Sequence, residues 1–215
     1  MALTGFNPEL VNQSVNGVKN AYDGLISQIG DRVQVEFVNG LADKWACREA
    51  QDFFNIRFKS VIDDLIRKIN STFQSVIETM NFAAQKWAMT TGAQYMNVPF
   101  NPRMVTLDTS GIMENINGVR GIDFNAASSV LNSLQVISSS ISEYLQSAIT
   151  AVNNSGFIGG SQEEQLIGSL TGIKTNCEQS FLEVLEVAKA QINATVNKYS
   201  TVEGQISQAF VAQNR

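Results

Sequence analysis

The chain has 215 residues, with 20 acidic and 15 basic side chains, a net charge of −5 and no histidine. Without histidine, Ser-His-Asp triads, His-based zinc sites and Cys–His nucleophiles are excluded. The acidic balance argues against a basic surface for nucleic acid or anionic membrane. Hydrophobic residues make up 44% and charged residues 16%, so the chain can bury a core beneath a surface of mostly neutral polar groups.

The first predicted helix covers about residues 8–41, where apolar residues recur every three or four positions. Asn7-Pro8 supplies an N-cap followed by a proline in the first turn, and Asn39-Gly40 can end the helix. Residues 33–37 alternate between apolar and polar, as a strand would. We nevertheless predict helix there, because the matching positions in the second half of the chain do not alternate.

The same periodicity predicts a second helix over about residues 46–89. A linker follows over 93–123, where glycines and prolines break the period, while its apolar residues indicate that it lies against the helices. A third helix is predicted over about 125–154. The fourth covers about 161–211 and begins with a capping box at Ser161.

The two halves of the chain, residues 1–92 and 124–215, resemble two copies of one helical hairpin. A shift of 112 residues places the apolar positions of the first half on those of the second. The shift also aligns non-periodic landmarks: Trp45 with Phe157, Lys86 with Lys198, and Trp87 with Tyr199. We therefore predict an internal duplication.

The cysteines and the N-terminus indicate which compartment the chain uses. Cys47 and Cys177 are far apart and form no CxxC motif, and we interpret them as core residues. The N-terminus has no basic region followed by an apolar one, and nowhere do eighteen apolar residues run together. We expect a soluble chain that, if exported, uses a route without a cleaved leader.

Residues 41–53 read LADKWACREAQDF, with Trp45 at the predicted turn, followed by an alanine and Phe53. This stretch resembles the WXG-type family, small helical hairpins that are substrates of type VII (ESX) secretion systems and are related to the early secreted antigenic target. In that family a Trp-x-Gly turn precedes an alanine and an aromatic residue, and here Cys47 replaces the glycine. The second hairpin has Phe157-Ile158-Gly159, which keeps the glycine and lacks the tryptophan.

Near the end of the last predicted helix, the stretch from Tyr199 to Glu203 resembles the family's C-terminal YxxxD/E export element. Family members pair as antiparallel hairpins. The resemblance therefore implies an all-α protein, in which two long hairpins fused in one chain pack antiparallel as an elongated four-helix bundle, a pseudo-dimer. An extended linker can run back along a helix of roughly 60 Å. Trp45 would then meet Tyr199 and Glu203 as one complete signal. The degenerate opposite end would hold Phe157, Gly159 and Trp87.

The function implied by the resemblance is that of a non-enzymatic type VII secretion substrate or export-targeting partner, a single-chain equivalent of a secreted heterodimer. Its partner would be the type VII ATPase and machinery, with other WXG-type or effector proteins as further candidates. No cofactor, metal, nucleic acid or small-molecule substrate is expected. The chain would be a monomer, cytoplasmic before export from a bacterium and secreted afterwards.

Alternatives to this interpretation stay open. The apolar linker also fits a helical, membrane-active pore former, and the helices fit an adaptor or scaffold bundle with an unknown partner. Trp45 could be an aromatic plug at a bundle end, and Trp87 fits a core position. Tyr199 and Glu203 lie one helical turn apart, so a partner could bind both. They could equally be a tyrosine at the core edge beside a solvated acid.

Overall fold

The computed structural model describes residues 5–158 and 162–213. This part of the chain is all-α with long helices and little strand, as predicted. In chain order the elements are β1 (Gly5–Phe6), α1 (Pro8–Ser27), a first π segment (Gln28–Val38), α2 (Asn39–Ala42), β2 (Trp45–Ala46), α3 (Arg48–Asp52), a second π segment (Phe53–Phe58), α4 (Lys59–Thr91), β3 (Gly121–Ile122), α5 (Phe124–Asn153), β4 (Phe157–Ile158) and α6 (Gln162–Gln213).

The start of α1 follows from its capping residues. The Asn7 side chain accepts hydrogen bonds from the backbone N–H groups of Glu9 at 3.0 Å and Leu10 at 3.2 Å. Pro8 occupies the first helical position, where its missing N–H leaves no hydrogen bond unmade. The helix therefore begins where the sequence predicts it to begin.

Both π segments coincide with runs in which every fourth residue is buried. A step of four overshoots the 3.6-residue turn of an α-helix by about 40°, so repeated steps of four would leave the buried face. The wider turns of a π-helix, closed by i→i+5 hydrogen bonds, correct this drift. The alternating residues 33–37 are therefore helical, as predicted. The buried residues of the two runs are Leu25, Ile29, Val33, Phe37 and Leu41, and Ala50, Phe54, Phe58 and Ile62.

The chain divides into two compact units, each of which contains three stretches of sequence. The first unit comprises Met1–Gly30, Ile62–Thr106 and Ile137–Ser180, and the second comprises Asp31–Val61, Leu107–Val136 and Phe181–Arg215. Each unit thus contains part of the linker and parts of both predicted hairpins.

Aromatic side chains form the centre of each unit. In the first unit the buried Tyr22 contacts Phe73, with ring centroids 5.4 Å apart, and Phe100, at 4.8 Å. In the second unit five fully buried rings contact one another at centroid distances of 5.0 Å to 6.4 Å. These rings belong to Phe37, Trp45, Phe53, Phe54 and Phe58.

Each unit also contains a short antiparallel strand pair that the sequence analysis did not predict. In the first unit β1 pairs with β4, and the Asn7 backbone N–H donates to the carbonyl of Gly156 at 2.9 Å. In the second unit β2 pairs with β3, and the Asp123 N–H donates to the carbonyl of Lys44 at 2.7 Å. Asp123 also caps α5, as Asn7 caps α1. In both units, therefore, the residues that precede one helix pair with the turn between two others.

The part of the linker in the first unit is held by side-chain amides. Buried Asn81 donates to the carbonyl of Val98 at 3.0 Å and accepts from the Val98 N–H at 3.1 Å. It also accepts a hydrogen bond from the Tyr95 hydroxyl at 2.7 Å. The Tyr22 hydroxyl accepts from the backbone N–H of Arg103 at 2.6 Å. This part of the linker lies against α1 and α4, as its apolar residues predict.

In the second unit the linker is held in the same way. Gln34 donates to the carbonyl of Asp108 at 2.9 Å and accepts from its N–H at 2.7 Å. The Lys59 ammonium donates to the carbonyl of Leu107 at 3.1 Å. Leu107 and Ile112 are buried, so apolar packing and hydrogen bonds act together.

Candidate functional site

Trp45 closes the turn between α2 and α3, residues 43–47, which we call the Trp turn. The tryptophan is fully buried, its backbone pairs with Ile122, and its ring contacts Phe53 and Phe54 at 5.8 Å and 6.4 Å. Its indole N–H has no hydrogen-bond partner among the described residues. The side chain thus offers no surface to a partner, and its contribution is to fix the shape of the turn.

An ion pair joins the helix that follows the Trp turn to the last helix. The Lys198 ammonium lies 2.9 Å from a carboxylate oxygen of Glu49, the second residue of α3. The hydrogen bond from Lys198, supported by the backbone N–H of Glu49, lowers the pKa of the Glu49 carboxyl to about 2. The same contact raises the pKa of Lys198. The residue next to Tyr199 is therefore in direct contact with the Trp-turn end of the second unit.

Tyr199 and Glu203 lie one helical turn apart on α6, in the same unit as Trp45. Tyr199 is half-buried and Glu203 is exposed. Val202 and Ile206, on the same part of the helix, have 46% and 51% of their surface exposed. The end of α6 therefore offers an aromatic, an acidic and two apolar side chains to a partner.

A second ion pair joins the same two parts of the chain. Arg57, in the second π segment, lies 3.3 Å from Glu183 of α6. Arg57 follows Glu49 in the sequence, whereas Glu183, the partner of Arg57, precedes Lys198, the partner of Glu49. The two ion pairs therefore show that these stretches are antiparallel where they meet in the second unit.

Phe157 and Trp87, two of the three residues predicted as the degenerate end, lie in the first unit. Phe157 pairs with Phe6 in the β1–β4 ladder, and the Phe6 ring stacks on Trp87 with centroids 6.3 Å apart. Trp87 is half-buried. Gly159 lies outside the described residues. Phe6 thus connects the turn before α6 to the end of α4.

A surface pocket of about 400 Å³ adjoins the Trp turn in the second unit. Its apolar walls come from a tight hairpin in which Ile116 and Val119 pair across Asn117-Gly118, with both turn residues at positive φ. Its charged residues include Asp43 and Lys44, which are paired with each other at 2.6 Å. The lining residues are Asp43, Lys44, Ala46, Ile116, Val119, Gly121, Ile122 and Asp123.

The two thiols are poor candidates for chemistry. Burial raises the pKa of the Cys177 thiol to about 12 and also raises the pKa of Cys47. Since the thiolate is the nucleophile and the metal ligand, burial and the raised pKa disfavour both roles for these thiols. They lie in the core, as predicted.

Comparisons with protein-family models, with curated proteins and with solved structures found no match. No helix in the described part of the chain is long and apolar enough to cross a membrane.

Sequence analysis did not identify Glu49 and Lys198 as a pair. The only signal was indirect, since Glu49 lies in the WXG-like stretch and Lys198 aligns with Lys86 in the duplication.

Proposed function

We propose that the chain is a non-enzymatic type VII secretion substrate or export-targeting partner, bound through the end of α6 beside the Trp turn. The observation that carries this proposal is the contact of Lys198 with Glu49. It brings the WXG-like stretch and the helix that bears Tyr199 and Glu203 together in one unit. Buried Trp45 would define the turn, while the secretion machinery would bind Tyr199 and Glu203.

We further propose that two WXG-type hairpins are fused in this chain and pack antiparallel as a four-helix bundle, which would replace the usual heterodimer. The reciprocal strand pairs support this, because each hairpin's turn pairs with the segment that precedes the other hairpin. The 112-residue repeat supports it too, since β2 and β4 lie at matching positions. Fusion would hold the halves at one-to-one stoichiometry and at high effective concentration.

The contacts of the linker favour export over membrane insertion. To insert, the linker would have to break the hydrogen bonds that Asn81, Gln34, Lys59 and Tyr22 make to its backbone. A liposome-leakage assay at neutral pH addresses this directly, and we expect no leakage. An adaptor or scaffold role would use the same exposed end of α6, so the export assay below separates it from secretion.

The test is export from a bacterium that carries the cognate type VII machinery. The variant Tyr199→Ala/Glu203→Ala should lose export while its far-ultraviolet spectrum stays helical. Leu182→Ala/Glu186→Ala is the matched control, because it removes an apolar residue and an exposed acid from α6 at the same four-residue spacing as Tyr199 and Glu203. Equal export of both variants and the wild type would contradict the proposal and favour the scaffold.

A further inference from the structure

We propose that the Glu49–Lys198 ion pair positions the end of α6 beside the Trp turn, so that the secretion machinery meets one composite surface. This inference rests on the proposed function. Glu49 and Lys198 would be positioning residues that act through Tyr199 and Glu203. Nothing in the WXG-like motif or the YxxxE element requires a charge at either position.

The first argument is the place of Lys198 along α6. Beyond Tyr199, every side chain of α6 whose exposure the structure describes is exposed. The contact of Lys198 with Glu49 is the last polar contact that the described part of α6 makes with another segment. The ion pair is therefore the last polar side-chain contact of α6 before the exposed turns that contain Glu203.

The second argument is the order of charges. In the ion pair between Arg57 and Glu183, the first half of the chain contributes the cation. In the ion pair between Glu49 and Lys198, the first half contributes the anion. If α6 ran in the opposite direction, Lys198 would approach Arg57, and Glu183 would approach Glu49. Because Lys198 would be repelled by Arg57 and is attracted by Glu49, its charge favours the observed place of the end of α6, beside the Trp turn. The Arg57–Glu183 pair lies about four turns before Tyr199 and is not needed to place that end.

The third argument is that three of the four charges are absent at the corresponding positions of the repeat. Lys86 corresponds to Lys198, but in the first unit its ammonium lies over the ring of Phe82, 5.3 Å from the centroid. Serines occupy the other three positions, namely Ser161 for Glu49, Ser169 for Arg57 and Ser71 for Glu183. An ion pair needed only to hold a helical hairpin together would be expected in both copies of the repeat. The Glu49–Lys198 ion pair occurs only beside Trp45, Tyr199 and Glu203.

The experiment compares export of Lys198→Glu, of the charge swap Lys198→Glu/Glu49→Lys, and of Glu183→Lys. Lys198→Glu places two carboxylates together and should reduce export by about five-fold or more, and the swap should restore it to within about two-fold of wild type. Glu183→Lys breaks the other ion pair of the same type, about four turns before Tyr199, and should be exported normally. Because Lys198, Glu183 and Arg57 are exposed and Glu49 is half-buried at the surface, each variant should keep its melting temperature within about 4 °C of wild type.

Equal loss of export in Lys198→Glu and Glu183→Lys would overturn the proposal, since a general structural role predicts that result. Normal export of Lys198→Glu, or failure of the swap to restore export, would overturn it as well. Tyr199→Ala/Glu203→Ala is measured alongside. If that variant loses export while Lys198→Glu does not, only the positioning role fails. If that variant is exported like the wild type, or if export of the wild type does not require the type VII machinery, the proposed function fails, and the positioning role fails with it.

Discussion

The hydrogen bonds of Asn81 give a quantitative test of how the linker is held. Replacing Asn81 by leucine keeps the number and branching of the side-chain heavy atoms but leaves the N–H and C=O of buried Val98, and the hydroxyl of Tyr95, without their present partner. Each buried backbone group left unpaired costs about 1–3 kcal/mol. Burial of the leucine returns about 1 kcal/mol. We therefore expect Asn81→Leu to lower the free energy of unfolding by about 1–5 kcal/mol, measured by urea denaturation.

Gln34→Met is the matched control, because Gln34 makes the same double hydrogen bond to the backbone of Asp108. Asp108 is exposed, so water can replace the lost partners and the cost should stay below about 1 kcal/mol. The reasoning is refuted if the two variants lose similar stability, or if Asn81→Leu loses less than Gln34→Met. Either result would mean that burial of the bonded groups does not set the cost.

Three further predictions concern stability and reactivity. Gly24→Ala should lower the free energy of unfolding by about 1–2 kcal/mol, although alanine normally favours helix, because the new Cβ would collide with the ring of Tyr144; a more stable variant in urea denaturation would contradict this. Cys47 and Cys177 should react with a thiol-specific reagent at pH 8 only at the rate of unfolding, and rapid labelling of the native protein would show that they are accessible. The lowered pKa of Glu49 in the folded state means that its carboxylate stabilises the protein above its ordinary pKa of 4.5, and that this stabilisation is lost as the pH falls towards 2. Stability should therefore fall less steeply with acid in Glu49→Gln than in wild type, and parallel pH profiles would count against the ion pair.

The long helices could be predicted from the sequence because their apolar spacing is sustained and their starts carry caps such as Asn7. The π segments could not be predicted from spacing alone. Steps of four such as Val33, Phe37 and Leu41 accompany them, but Ile173, Cys177 and Phe181 are buried at the same spacing within the α-helix α6. The strand pairs could not be predicted, because two-residue strands such as β2 have no period to detect.

The candidate site was predicted only in part. The motif predicts Trp45, Tyr199 and Glu203 as an export signal, and this role stays a prediction, while the structure has all three residues in the second unit. The motif does not reveal that Trp45 is buried, because an aromatic residue at a turn fits either a plug or an epitope. Glu49 and Asn81 were missed because single charged or amide residues are common in this chain. Only the packing of the folded chain brings Glu49 to Lys198, 149 positions away, and Asn81 to Val98, 17 positions away.

The central claim is that type VII machinery carries this chain out of the cell. The most direct measurement is the amount of the full chain in the culture medium of a bacterium with intact cognate machinery, compared with a strain that lacks the secretion ATPase, with a cytoplasmic protein as lysis control. We predict that the chain is in the medium of the first strain and retained in the cells of the second. Equal amounts in both media, or retention in both strains, would contradict the claim.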